Sequence, residues 1–159
     1  MNYRHAFHAG NHADTLKHVA LLALCNALTA KPAPLYALDT HAGAGVYLLD
    51  GEEALKTGEA AGGIGRLLAA PPRDAAVARY LEAVATCRAE TGQPLAYPGS
   101  PWLLAHALRD QDRIACCELR ALFQGVVARE VGQADAARLL EVERRRHRNQ
   151  AFLPDHGAL

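Results

Sequence analysis

An acidic residue followed by a glycine-rich turn is the densest chemical signal in the sequence. Asp39 follows the short apolar segment Leu35–Leu38, and the turn after it contains Gly43 and Gly45. Backbone can approach a ligand closely at glycine, because glycine has no side chain. In open α/β sheets, a carboxylate at a strand tip can accept hydrogen bonds from ribose hydroxyls or from a cationic amino group. The glycine pair alone fits an ordinary turn equally well.

A second acidic residue, Glu118, ends the apolar segment Arg113–Cys117. Doubly wound nucleotide-binding folds place a ribose-binding acid at this position of a strand. The usual interval from the glycine turn to that acid is ~20 residues, whereas Asp39 and Glu118 lie 79 positions apart. The simple dinucleotide fingerprint therefore fails, and a helical insertion over about residues 46–112 would account for the interval.

Histidines and basic residues are concentrated near the amino terminus. The histidines with spacings loosely like those of metal ligands are His5, His8, His12 and His18. Since neither His-Glu-x-x-His nor a Cys/His quartet is present, we do not predict a metal site. The residues that could contact an RNA backbone or stack on bases are Tyr3, Arg4, His5, Phe7 and Lys17. A solvated terminus explains the same residues, as it does the basic run at 144–148.

Helices must position these groups on either side of the strands. A helix is predicted from a cap at Asn11 to just before Lys31. It is apolar over most of its circumference, which predicts a buried helix preceded by an irregular arm at residues 1–11. A second helix is predicted over Asp74–Glu90 from its apolar spacing. Residues 51–66 are predicted as a loop leading into a short helix.

The second half of the chain is predicted to alternate loop, helix and strand. Tyr97–Gly99 is expected to be a loop, with Ser100 capping a helix whose first residue is Pro101. A strand follows at 113–118, and two further helices are predicted at roughly 120–131 and 135–147. The predicted fold class is therefore α/β.

Composition limits the class of protein. The 159 residues are 50% hydrophobic and 21% charged, which is typical of one globular domain. A net charge of zero excludes a global basic field, so a nucleic acid would have to meet a local patch. The longest apolar run, 19–28, is shorter than the ~20 residues of a membrane span, and no signal peptide is evident. We expect a cytoplasmic protein with reduced cysteines.

Several stretches of the sequence form an ordered set of motifs, which are 3–14, 16–18, 38–45, 57–59 and 97–101, followed by Glu118-Leu119. Taken together, they resemble the RlmJ family of bacterial 23S ribosomal RNA adenine-N6 methyltransferases. The resemblance covers roughly residues 2–143. It implies a Rossmann-like core that binds S-adenosylmethionine and a helical subdomain inserted after the first strand, which would explain the long interval before Glu118.

The resemblance also implies site residues and domain limits. The positions matching the family's cofactor contacts are His18, His41, Ser100 and Glu118, with Gly43 and Asp39 in the turn that faces the methionine portion. The position matching a substrate contact is Tyr3, with His5 and Lys17 as helpers. The expected parts are a partial core at 1–45 and 113–143 with an incomplete sheet, the insertion at 46–112, and an off-pattern tail at 144–159.

One family motif is missing from this sequence. The family carries Asp-Pro-Pro-Tyr, whose carboxylate and carbonyl accept the N–H bonds of a flipped adenine while the tyrosine stacks on it. The 159 residues contain no such motif. We therefore expect impaired catalysis and a truncated or frame-shifted origin of the tail. A non-catalytic cofactor- or RNA-binding module and a helical interaction fragment are the alternatives, and a role in using external DNA ranks lower.

Overall fold

The computed structural model describes residues 5–116 and 129–131. In chain order, the helices are α1 (His5–His8), α2 (His12–Thr29), α3 (Glu52–Thr57), α4 (Ile64–Ala69), α5 (Ala75–Thr91) and α6 (Ser100–Ala107). The strands are β1 (Tyr36–Asp39), β2 (Val46–Leu48), β3 (Ala96–Pro98), β4 (Arg113–Cys116) and β5 (Arg129–Val131). None of the helices in these ranges is long and apolar enough to cross a bilayer.

Two parallel strands and the helix between them form the framework of the site. β1 pairs with β4 in parallel, with Tyr36 opposite Arg113 and Asp39 opposite Cys116. α6 packs against both strands, as expected for the crossover helix of a parallel pair. β5 pairs with β4 in the antiparallel direction, which corrects the end of the helix predicted over 120–131. The rest of that helix, the one at 135–147 and the tail at 144–159 lie outside the described residues.

The first long helix begins and ends as predicted, but it is not a buried helix. The Asn11 side chain accepts a hydrogen bond from the backbone N–H of Asp14 at 2.8 Å, and α2 ends at Thr29. Only one stripe of α2 is buried, against α5 and α6. Leu16 and Leu24 are 63% and 56% exposed. The apolar residues around the whole circumference of α2 therefore led us to overestimate how much of the helix is buried.

The segment 46–112 contains strands as well as helices, which corrects the prediction of a helical insertion. β2 and β3 form an antiparallel pair in which Tyr47 lies opposite Tyr97. Residues 97 and 98, predicted as loop, belong to β3, whose three residues are all buried. α6 also falls within this range, yet it packs on the parallel strands. The part of the predicted insertion between β1 and α6 thus contains β2 and β3 as well as helices, and α6 belongs to the framework of the parallel strands.

The helix predicted over Asp74–Glu90 is confirmed, with its ends defined by two capping residues. Asp74 accepts hydrogen bonds from the backbone N–H groups of Ala76 and Val77. Gly92 follows the last turn at φ 65°, a conformation that glycine adopts without a steric penalty. Residues 51–66 were predicted as a loop leading into a short helix. The structure has a short helix, α4, at the end of this segment, but α3 and a short 3₁₀ turn at Glu59–Gly62 take the place of the predicted loop.

The described part of the amino-terminal arm is helical rather than irregular. His5–His8 form one turn, α1, which packs on α3. Glu59 holds the arm in place, because its carboxylate contacts His8 Nδ1 at 3.0 Å and accepts a hydrogen bond from Asn11 Nδ2 at 2.8 Å. Side chains from the segment between β1 and α6 therefore position the arm.

Arg109 joins the ends of α2, β1 and β4 on the side of the sheet opposite the strand tips. Its guanidinium donates to both carboxylate oxygens of Asp112, at 2.9 Å each. It also donates to the backbone carbonyls of Thr29, Lys31 and Ala33. The same Asp112 carboxylate accepts the Leu35 N–H, and the hydrogen bonds from Arg109 hold the pKa of Asp112 well below its usual range. We refer to these contacts as the Arg109 clamp.

Candidate ligand-binding pocket

A pocket of about 510 Å³ lies where α2, the tip of β1 and the start of α6 meet. Ligand sites in proteins typically enclose ~300–1,000 Å³. The polar and glycine residues of its lining, together with Tyr47, are His5, Asp14, Lys17, His18, Asp39, His41, Gly43, Tyr47, Gly99 and Ser100. Leucines of α2, α6 and the β1 segment also line it. Charged and apolar surfaces adjoin in one cavity, which suits a ligand that has both kinds of group.

Six of the eight predicted site residues line this pocket. They are His5, Lys17, His18, His41, Gly43 and Ser100. The other two, Tyr3 and Glu118, lie outside the described residues. The parallel strand and its crossover helix explain the convergence, because both the β1 tip and the α6 start lie at the same edge of the sheet. The roles of the individual residues remain predictions.

His18 is buried and connects to two tyrosines in the core. Its Nδ1 lies 3.0 Å from Tyr97 Oη, and its Nε2 lies 3.7 Å from an oxygen of Asp14. Burial lowers the pKa of His18, while the nearby Asp14 carboxylate acts in the opposite direction. The histidine is therefore neutral at pH 7, and one ring nitrogen carries a proton.

Asp39 carries an unpaired acceptor at the strand tip. Its Oδ1 accepts the backbone N–H of His41 at 3.2 Å. Its Oδ2 is buried and has no hydrogen-bond partner among the described residues. A buried carboxylate oxygen without a partner costs free energy. This orphan oxygen in the pocket is the arrangement expected of a group whose partner belongs to a ligand.

The two glycines of the turn after β1 differ in how much space surrounds them. A Cβ at Gly43 would lie 2.0 Å from Tyr47 Oη and 3.1 Å from the His5 ring, whereas a Cβ at Gly45 would meet nothing within 4 Å. Tyr47 Oη accepts the backbone N–H of Ala44 at 2.9 Å. Gly43 is thus explained by the packing of Tyr47 and His5, which is a different reason from the predicted approach of a ligand to bare backbone.

Replacing Gly43 with alanine is expected to weaken ligand binding, because Tyr47 and His5 would both have to move. Gly45→Ala is the matched control in the same turn, where the methyl group has space. We expect Gly43→Ala to lower the affinity for S-adenosylhomocysteine, the demethylated form of the cofactor that the family resemblance implies, about tenfold, the effect of losing one or two pocket contacts. Isothermal titration calorimetry on both variants measures it. Equal affinities would contradict the steric role of Gly43.

The start of α6 differs by one residue from the prediction. Gly99 occupies the cap position and Ser100 is the first helical residue. A Cβ at Gly99 would lie 2.2 Å from the carbonyl oxygen of Ala44, so the start of α6 packs closely on the turn after β1. Because Gly99 takes the capping position, Ser100 is free to line the pocket. His41 is exposed at the pocket edge, where its Nδ1 contacts Thr40 Oγ1 at 2.8 Å.

Sequence reasoning missed several residues of the site. Asp14, Tyr47 and Gly99 line the pocket, and Tyr97 supports His18 from behind. Asp14 is four residues before His18, so the helical spacing of an acid and a histidine on one face was the signal available for it. Tyr97 was noted only as part of the motif 97–101 and Tyr47 had no signal, since the two lie opposite each other only through the pairing of β2 with β3.

Comparisons with known proteins identify relatives over most of the chain. A family model named RsmJ, described as ribosomal RNA large subunit methyltransferase D, RlmJ, matches residues 32–157. That range includes most of the segment 144–159, which was expected from the sequence to depart from the family pattern. A curated Escherichia coli K12 protein named ribosomal RNA large subunit methyltransferase J is 39% identical over 151 residues, covering 90% of this chain and 54% of the relative.

Two further similarities agree with these. A Haemophilus influenzae protein of the same name is 41% identical over 119 residues, covering 75% of this chain and 42% of the relative. The chain therefore spans about half the length of the curated relatives it matches. A crystal structure of a protein from Legionella pneumophila matches with a TM-score of 0.58 and 36% identity, over 70% of this chain and 40% of that one.

Proposed function

The chain belongs to the RlmJ family of large-subunit ribosomal RNA methyltransferases, and from this we propose that its pocket binds S-adenosylmethionine. The observation that carries the proposal is the orphan carboxylate oxygen of Asp39 at the tip of a parallel strand. Sites for nucleotide-containing ligands lie beyond the carboxyl ends of such strands. The proposed reaction of the complete domain is methylation of an adenine N6 in 23S ribosomal RNA, which implies a cytoplasmic location.

The chemistry of the lining residues suits this cofactor. Asp39 Oδ2 offers an acceptor for the cationic amino group of the methionine portion, with His18, His41, Gly43 and Ser100 around it. We assign the ribose hydroxyls to Glu118 from its predicted place at the end of the strand that contains β4. When bound, S-adenosylmethionine supplies an electrophilic methyl group on a sulfonium centre. The leucines of the lining are compatible with the uncharged parts of the ligand.

The proposed RNA contacts lie on the arm and the outer face of α2. His5 and the exposed Lys17 line the same pocket, so a nucleotide entering it would meet both. Lys17 offers a cation for a phosphate and His5 a ring for stacking or hydrogen bonding. Tyr3 precedes them in the arm and completes the proposed substrate-binding set.

We expect this chain to bind the cofactor while transferring its methyl group slowly or not at all. Its residues supply a cofactor pocket, whereas the 159-residue sequence contains no Asp-Pro-Pro-Tyr to accept the N–H bonds of the target adenine. We expect saturable S-adenosylmethionine binding together with little or no turnover on unmodified 23S RNA. Turnover at the rate of an ordinary enzyme, ~1 s⁻¹ or faster, would overturn the expectation of impaired catalysis.

Calorimetric titration of the 159-residue chain with S-adenosylmethionine tests the proposal. Glu118→Ala should lower the affinity at least tenfold, because hydrogen bonds to a charged group are each worth ~1.5–3 kcal/mol. Glu53→Ala, at an exposed position on α3, is the matched control and should bind normally. Absence of binding by the folded wild-type chain would refute the proposed function.

A non-catalytic module that binds cofactor or RNA is the second candidate, and the same two assays decide it. Binding without transfer is its expected result. The third reading, a helical interaction fragment in which the glycine turn is only a turn, is disfavoured by one observation. β1 and β4 pair in parallel through a crossover helix, which places the turn at the edge of a sheet.

A further inference from the structure

We propose that the Tyr97 hydroxyl is a positioning group that fixes the tautomer of His18, so that Nε2 carries the ring proton. The donor N–H then faces Asp14, with which His18 lines the pocket. The inference deepens the proposed function and rests on it for the identity of the ligand. Tyr97 does not line the pocket, and it acts on the ligand only through the histidine.

A chain of buried hydroxyls leads to the back of the His18 ring. Tyr80 Oη, on α5, donates to Tyr97 Oη at 3.0 Å. Tyr97 Oη, on β3, lies 3.0 Å from His18 Nδ1. Both tyrosines have 0% of their surface exposed. Burial raises the pKa of Tyr80 to about 12 and that of Tyr97 further, so both hydroxyls keep their protons at neutral pH.

The donors and acceptors on the two sides of the ring carry the proposed tautomer. A tyrosine hydroxyl has a single proton to donate. Tyr97 accepts from Tyr80 and also neighbours Thr15, and in the proposed arrangement it donates its own proton to His18 Nδ1. Nδ1 is then the unprotonated nitrogen of a neutral imidazole. The remaining proton is on Nε2, where it faces the Asp14 carboxylate at 3.7 Å.

The surroundings of His18 favour the neutral form and this orientation. The residue is 6% exposed, and burial is the largest influence on the pKa of His18. The charged or titratable groups near it are Asp14, Lys17, Asp39 and His5. Asp14 is itself held by its other oxygen, which accepts the backbone N–H of Gly10 at 3.1 Å. Both sides of the ring are therefore fixed by groups that have their own anchors.

The consequence for a ligand concerns hydrogen-bond polarity. With the proton on Nε2, His18 offers a donor beside the Asp14 acceptor. With the proton on Nδ1, it would offer a bare acceptor beside a carboxylate, and two acceptors side by side would repel an acceptor atom of the ligand. Tyr97, from the segment between β1 and α6, thus determines which ligand atoms His18 can contact.

Nuclear magnetic resonance of the imidazole nitrogens in the full chain tests the proposal. In ¹⁵N-labelled wild type at pH 7.5, with His18 assigned from the His18→Gln variant, we expect a protonated Nε2 and an unprotonated Nδ1. In Tyr97→Phe, Nδ1 loses its donor, and the His18 shifts should move toward a mixture of tautomers. The affinity for S-adenosylhomocysteine should fall about fivefold, the effect of one hydrogen bond.

Tyr80→Phe is the matched control, because it removes a hydroxyl from the same buried cluster without removing the donor to His18. It should leave Nε2 protonated and the affinity within about twofold. A proton on Nδ1 in the wild type overturns the proposal, and this holds even if Tyr97→Phe does not fold. An unchanged tautomer in folded Tyr97→Phe also overturns it. The tautomer of the wild type is measured without any ligand. Failure to bind S-adenosylhomocysteine would therefore refute the proposed function, whereas the tautomer proposal is decided by the nitrogen shifts alone.

Discussion

Asp39→Asn is expected to lower the affinity for S-adenosylmethionine about ten- to one-hundredfold while leaving the chain as stable as before or more so. Asparagine keeps the oxygen that accepts the His41 N–H. It removes the negative charge of the orphan oxygen, which has no partner among the described residues. An interaction with a charged partner is worth ~1.5–3 kcal/mol, and tenfold in affinity corresponds to about 1.4 kcal/mol.

Asp39→Asn is expected to lower the affinity for the ligand without lowering the stability of the chain, and this combination distinguishes a ligand-binding residue from a structural one. A residue that serves the fold loses stability when changed, whereas a strained functional group costs stability and its removal restores it. Calorimetric titration gives the affinity and a thermal melt gives the stability. Asp110→Asn, the same change at an exposed position, should alter neither. A marked fall in melting temperature with unchanged affinity would show that Asp39 is structural.

Gly63→Ala is expected to destabilise the fold more than a change at any other glycine discussed above. A Cβ at Gly63 would lie 2.1 Å from the carbonyl oxygen of Gly10 and 2.4 Å from the carbonyl carbon of Asn11. Both are backbone atoms at the corner between α1 and α2, and the Ile64 N–H also donates to the Gly10 carbonyl at 2.9 Å. No flexible side chain can move aside there.

The expected cost of the Gly63 change is at least the ~1–3 kcal/mol typical of overpacking. For a chain of this size, that lowers the melting temperature by about 5–10 °C. Gly62→Ala is the matched control, because a Cβ at the neighbouring Gly62 would meet nothing within 4 Å. Thermal melts followed by circular dichroism compare the two variants. Similar melting temperatures would show that the corner adapts, contrary to our expectation.

Local signals in the sequence predicted the long helices and the parallel strands. Asn11 was recognisable as a cap, the helix over 74–90 from its apolar spacing, and the strands from the apolar segments before Asp39 and Glu118, because each signal lies within a few neighbouring residues. β2 and β3 could not be found in this way. Each has three residues, and the pairing of Tyr47 with Tyr97 joins positions 50 apart that share no local pattern.

The sequence predicted which residues belong to the candidate site, but it did not predict the contacts between them. The resemblance to a family gave His18, His41 and Ser100 without any geometry, and the strand-tip argument gave Asp39 from the residues alone. The contact between Tyr97 Oη and His18 Nδ1 joins a residue of β3 to a residue of α2, and such a tertiary contact leaves no local pattern in the sequence. The prediction of a buried α2 failed for a related reason. Periodicity shows how many apolar faces a helix has, and only packing decides which of them is covered.

The Arg109 clamp has a consequence for the order in which the chain folds as it is synthesised. The carbonyl groups that it binds belong to residues 29–33, and the partner strand of β1 begins only at Arg113. A ribosome adds ~5–20 residues per second. After β1 has been synthesised, about 80 more residues must therefore be added before Arg109 and the partner strand β4 are present. The short-range helices α2 and α5 can form during this interval. Contacts of such long sequence separation make folding slower, and closure of the sheet is the late step.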